Sequence, residues 1–148
     1  MSLDTQSVGK SYPATTYAVG REKVREYAAA VGETNPLHFE LEAARGAGYE
    51  DLVAPPMFAV VYSVPSLHLG LFDPELAIDL AMMVHGSQEL RWGPLVIAGD
   101  EIATTATVKD VSDRGGMGFY VFELVSENQR GEWVCTGTWT QIVRSPSQ

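Results

Sequence analysis

Cysteine occurs once in the 148 residues, at Cys135, so no internal disulfide can form and a disulfide-built scaffold is excluded. Its place in the strand-like run "EWVCTGTWTQIV" marks a buried, inert thiol. Only three histidines are present, and nothing resembles the clustered Cys/His set of a metal site, so no metal is expected. Basic residues are scarce: ten Lys and Arg stand against 19 Asp and Glu, for a net charge of −9. That excludes the basic face a nucleic-acid partner requires and disfavours an anionic membrane surface. No long hydrophobic run exists, since "VAPPMFAVVYSVPSLHLGLF" is broken by prolines, serines and a histidine. The opening "MSLDTQSVGKSYPAT" lacks the apolar core of a signal peptide, and a cytoplasmic location is expected. The glycine cluster "RGGMGF" lies between strand-like runs rather than before a helix, so no nucleotide or redox cofactor is expected. Repeats and low-complexity tracts are absent, and only the final "SPSQ" reads as a frayed tail.

What is present fits one α+β domain over residues 1–148. Hydrophobic residues make up 45% of the chain, enough for a real core at this length. In "REKVREYAAAV", Val24, Tyr27, Ala28 and Val31 follow the i, i+3, i+4, i+7 rule of an amphipathic helix, and Gly32 is its stop. "ELEAARGAG" reads as a short second helix. Pro55 and Pro56 suit the start of a third, whose residues are apolar nearly all round and so predict burial on all sides; Pro65 should kink or end it. Strand patterns follow: "DLAMMVH" and "SQELRW" as one or two early strands, then "EIATTATVKDV", "GFYVFELVSEN" and "EWVCTGTWTQIV" as an antiparallel meander. "DRGGMG" and "ENQRG" supply the hairpin turns. The meander needs an apolar cover, and the helix from Met57 onward is the only element suited to supply it. A curved antiparallel sheet around that helix is the expected architecture.

The stretch "GETNPLH", residues 32–38, carries the chemistry. Asn35 precedes a proline and is biased away from helix, so Glu33 and His38 flank a tight turn. Taken singly, an Asn-Pro turn is punctuation, a lone histidine is structural, and a lone glutamate is a solvated charge. Taken together, a carboxylate and an imidazole aimed at one point can share a water, one taking a proton from it and the other giving one to the carbon α to a carbonyl. The helix start near Pro56 is a ready source of donors for the enolate oxygen.

The segments "GETNPLHFELEAARGAGYEDLVAPPMF" and "VHGSQELRWGPLVIAGDEI" resemble the MaoC-like (R)-specific enoyl-thioester hydratase/dehydratase family, with its D-x-N-P-L/I-H motif and its later P-V/L-x-x-G-D-x-L/I strand segment. The likeness is greatest to the stand-alone FAS1-like dehydratase, or MaoC N-terminal-type, proteins of actinobacteria. It implies a single hot-dog fold, a long central helix wrapped by the sheet. It also implies a hydro-lyase of fatty acid metabolism acting on acyl-CoA or acyl-carrier-protein thioesters, without metal or cofactor. His38 matches the family's catalytic histidine and Glu33 stands at its catalytic aspartate. Asn35 matches the motif asparagine, a positioning residue at the substrate. Met57 and Phe58 are the candidate amide donors to the thioester oxygen. Two departures stand out. Glu33 is one methylene longer than aspartate, and Pro55-Pro56 replaces a His-Gly pair whose glycine amide faces the thioester. The resemblance therefore implies two further readings: a catalytically weak acyl-binding subunit paired with an active hot-dog protein, and, by fold analogy, a thioesterase. A homodimer or heterodimer is expected, since a small sheet leaves an edge open. His38→Ala is expected to spare folding, as for a residue facing a wet cleft. Glu33→Asp raises the rate if the glutamate is merely tolerated.

Overall fold

The computed structural model describes Leu3–Arg144; the predicted tail "SPSQ" lies outside the described residues. In chain order the elements are β1 (Thr15–Ala18), α1 (Arg21–Ala30), a 3-10 turn Pro36–His38, α2 (Leu41–Gly46), a 3-10 turn Pro56–Phe58 running into α3 (Ala59–Leu71), then β2 (Met83–Trp92), β3 (Glu101–Arg114), β4 (Met117–Glu127) and β5 (Trp133–Val143). The strands form one antiparallel sheet in the order β1-β3-β4-β5-β2. No helix among the described residues is long and apolar enough to cross a membrane.

The meander forms as expected. Gly115 and Gly116, both at positive φ, close the β3–β4 hairpin between Arg114 and Met117, the two-residue turn that matches strand twist. Of the one or two early strands expected, one forms, and its start differs. The two predicted runs are one strand, β2, with a register shift between His85 and Ser87 and its start at Met83 rather than residue 79. It pairs with β5 at the far edge of the sheet. The other edge is β1, four residues that sequence reading did not assign.

Helix α3 lies across the sheet and joins two core clusters. Phe58, Ala59 and Tyr62 pack with Ile102 and Val134 at one end; Leu67 and Leu71 pack with Tyr120, Phe122 and Leu124 at the other. Backbone approach is close enough that a Cβ on Gly70 would sit 2.4 Å from the Phe122 ring. Of the two outcomes expected at Pro65, a kink or an end to the helix, the second does not occur. Pro65 lies inside the helix; the anchors on either side, Tyr62 and Leu67, hold the chain helical across the missing N–H. Burial on all sides is also wrong, because one sheet covers one face. Pro65, His68, Leu69 and Phe72, at helical spacing, are exposed.

Asp73, just past the helix, fastens the N-terminal arm. Its carboxylate accepts from Lys10 Nζ (2.6 Å) and Tyr12 OH (2.6 Å), and also from the Glu75 amide. Burial pushes its pKa up, but these three donors outweigh burial and hold the carboxyl below its ordinary range. Asp51, held by Arg21, is lowered likewise. Both carboxyls bind protons more weakly folded than unfolded. Their stabilisation is therefore present above the ordinary carboxylate range and is lost as pH falls through their lowered folded values. Asp73→Asn should remain folded at neutral pH and show a shallower loss of melting temperature below about pH 4 than the wild type.

Candidate active site

Helix α1 ends in a motif that aims Glu33. Gly32, at φ 76°, takes the left-handed position; its amide donates to the Ala29 carbonyl, and the Glu33 amide donates back to Ala28 at 2.9 Å. An alanine at position 32 would carry the left-handed penalty of about 1–2 kcal/mol. Gly32→Ala should therefore lower the melting temperature and displace the Glu33 carboxylate, which turnover would report.

The 3-10 turn then presents His38. Asn35 Oδ1 caps it by accepting from the Leu37 amide at 3.1 Å. Its side-chain oxygen is thus spent on backbone, which makes Asn35 a support for the histidine. His38 is buried. Its Nδ1 lies 2.6 Å from the Val53 carbonyl, an oxygen that can only accept, so Nδ1 carries a proton. In the neutral ring Nε2 then holds the free lone pair, and Nε2 is the atom that faces Glu33 Oε2, 3.9 Å away. The Val53 amide in turn donates to the Leu37 carbonyl at 2.9 Å, so the residues around 37 and 53 lock each other. Val53 is a site residue that sequence reading missed, because it acts through its backbone and its valine side chain carries no signal.

Glu33 lines a cavity of about 440 Å³ with Tyr27, Val31, Pro55, Pro56 and Met57. That volume is in the range of small-ligand pockets. His38 stands behind Glu33 rather than on the wall. Burial, and then the charge of Glu33, push the Tyr27 phenol up, so it remains a hydroxyl beside the carboxylate. The structure brings Glu33 and Met57 to one cavity wall and sets His38 against Glu33, where both Glu33 and His38 were expected to face the cavity. It does not bring Phe58: that ring is fully buried against Tyr17, Tyr27 and Tyr62, and its amide donates to the Pro55 carbonyl at 2.8 Å. Pro55 and Pro56 have no N–H, which leaves the Met57 amide as the donor of this turn. A larger groove of about 640 Å³ lies at the other end of α3, lined by Tyr12, Leu69 and Phe72 among others. Its Asp73 is tied to Lys10 and Tyr12, so it offers no free acid–base pair. Cys135 is buried; burial pushes its thiol up, only partly offset by Tyr62. No group of three or more potential metal ligands occurs among the described residues.

On this hot-dog fold a buried histidine, its Nδ1 held by the Val53 carbonyl, thus places Nε2 3.9 Å from a carboxylate that lines a cavity. The chain matches the FAS1-like dehydratase domain region over residues 6–137 and belongs to that family. It is 40% identical to a UPF0336 protein of Saccharopolyspora erythraea, over 100% of this chain and 96% of that one. It is 44% identical to a UPF0336 protein of Leifsonia xyli subsp. xyli, over 92% of each. Among solved structures it resembles the C-terminally truncated HadBC (3R-hydroxyacyl-ACP dehydratase) complex of Mycobacterium tuberculosis, with TM-score 0.79, 30% identity, and 95% and 99% of the two chains covered. It also resembles a MaoC-like dehydratase, with TM-score 0.84 and 26% identity over 94% of this chain and 42% of that one.

Proposed function

We propose that the protein is an (R)-specific enoyl-thioester hydratase/(3R)-hydroxyacyl-thioester dehydratase. The observation that carries this reading is His38 Nε2, unprotonated in the neutral ring and 3.9 Å from the Glu33 carboxylate. The pair holds one proton in its reactive state. In hydration, the carboxylate takes a proton from water as the water oxygen bonds to Cβ. The imidazolium gives its Nε2 proton to Cα, and the Met57 amide stabilises the enolate oxygen in between. Carboxylic acid and neutral imidazole remain, and a proton crossing the gap resets them. Dehydration runs the same steps in reverse.

The substrate is an acyl-CoA or acyl-carrier-protein thioester with its acyl chain against Val31, Pro56 and Met57. A second reading, an acyl-binding subunit completed by another hot-dog protein, is favoured by the part-exposed Glu33 side chain (41%). The purified chain should consume crotonyl-CoA and longer enoyl-CoAs, with loss of the enoyl absorbance. Activity that requires a second hot-dog chain would favour the subunit reading, and inactivity in both settings would end both.

A further inference from the structure

Trp92 ends β2 at the edge of the sheet, and its ring is 47% exposed. Burial alone does not explain where it sits. Its indole Nε1 donates to the Pro56 carbonyl at 2.8 Å, across 36 residues of sequence. Three features hold it there. Trp92 pairs with Cys135 on β5. The next amide, Gly93, donates to the Val134 carbonyl at 2.9 Å. At Gly93 a Cβ would stand 2.7 Å from the Trp133 carbonyl oxygen, so only glycine lets the strand end approach β5 this closely.

The Pro56 carbonyl and the Met57 amide belong to one peptide group. That group is trans, since no peptide bond among the described residues is cis, so its C=O and N–H point in opposite directions. Trp92 donates to the oxygen from the sheet side, and the Ala59 amide donates to it from within the turn. The N–H is thereby directed to the other side, where Glu33, Pro56 and Met57 line the cavity. A hydrogen bond to the oxygen of a peptide also polarises its N–H, strengthening it as a donor by roughly 10–30%.

We infer that Trp92 is a positioning residue for the proposed reaction: through the Pro56–Met57 peptide it orients and strengthens the single amide that receives the enolate oxygen. This rests on the acid–base reading of Glu33 and His38. It also answers the Pro55–Pro56 departure. Where both residues that could donate are prolines, the peptide of the remaining donor is held from outside the helix by Trp92 as well as from within by Ala59. An interaction that matters chiefly as charge develops lowers kcat when lost and leaves KM in place.

Trp92→Phe keeps a ring against Pro56 and removes the indole N–H. Two measurements on this variant decide the matter: kcat and KM for crotonyl-CoA, and the Met57 amide resonance in ¹H–¹⁵N spectra with and without butyryl-CoA, a saturated analogue that cannot react. The expected result is a kcat lower by about 10-fold, less than the loss of a whole oxyanion donor, with KM within about twofold. The Met57 amide proton should move upfield in the free variant and respond less to butyryl-CoA. An unmoved Met57 resonance overturns the inference whatever the kinetics, as does a KM increase at constant kcat. If the wild type shows no turnover, the acid–base reading fails by itself. The Met57 resonance still decides whether Trp92 governs that peptide: displaced, the inference stands for the bound thioester; unmoved, it falls.

Discussion

Replacing His38 by alanine should lower turnover of an enoyl thioester by about 100- to 10,000-fold and lower the melting temperature as well. The double effect follows from the two ends of one ring. Nε2 faces Glu33, where the proton moves. Nδ1 satisfies the Val53 carbonyl, and the residue is buried. Leaving that carbonyl unpaired costs about 1–3 kcal/mol. The expectation that this change would spare folding, made for a histidine in a wet cleft, is therefore corrected. His38→Asn separates the effects: an amide N–H can still reach Val53 while Nε2 is gone. Melting temperature should recover toward that of the wild type and turnover should not. Enzyme assays and thermal melts on the two variants check this.

Glu33→Gln should produce an activity loss of similar size, on the order of 100-fold or more, with a melting temperature close to that of the wild type. Its side chain is 41% exposed and its only ion-pair partner among the described residues is the histidine, so little packing is at stake and surface changes of this kind fall within about 0.5 kcal/mol. Glu33→Asp is the sharper variant. Resemblance alone suggests that aspartate restores the family's residue. The geometry argues otherwise: Oε2 already stands 3.9 Å from Nε2, and aspartate would withdraw the carboxylate by about 1.5 Å. The direct approach of carboxylate to imidazole would be lost, and a misplacement of about 1 Å costs up to 100-fold. Turnover by Glu33→Asp should fall. A rate at or above the wild type would mean that the backbone around Gly32 moves to compensate.

Much of this was legible in the sequence where local pattern and tertiary demand agree. The period of Val24, Tyr27 and Ala28, the alternation along β3 to β5, and the Gly115–Gly116 turn each specify their element through short-range sterics. The proximity of Glu33 and His38 was legible because Asn35-Pro36 forces a tight turn between two side chains close in sequence. Other features have no local cause. Strand β1 is four residues long and exists because β3 offers an edge. The Val53 carbonyl and the Trp92 indole serve the site only because the sheet order carries residues 53 and 92 to the start of α3. The composition of α3 was read as burial all round, yet composition does not count covering layers. The stripe from Pro65 to Phe72 is apolar and still faces outward.

The central claim, that Glu33 and His38 add water across an enoyl thioester, is tested most directly by product analysis. Wild-type protein and His38→Asn are each incubated with crotonyl-CoA, and 3-hydroxybutyryl-CoA and free thiol are quantified together. The predicted result is 3-hydroxybutyryl-CoA from the wild type, no matching thiol release, and almost no product from the variant. Equal turnover by His38→Asn, or thiol released as fast as the enoyl group disappears, would contradict it.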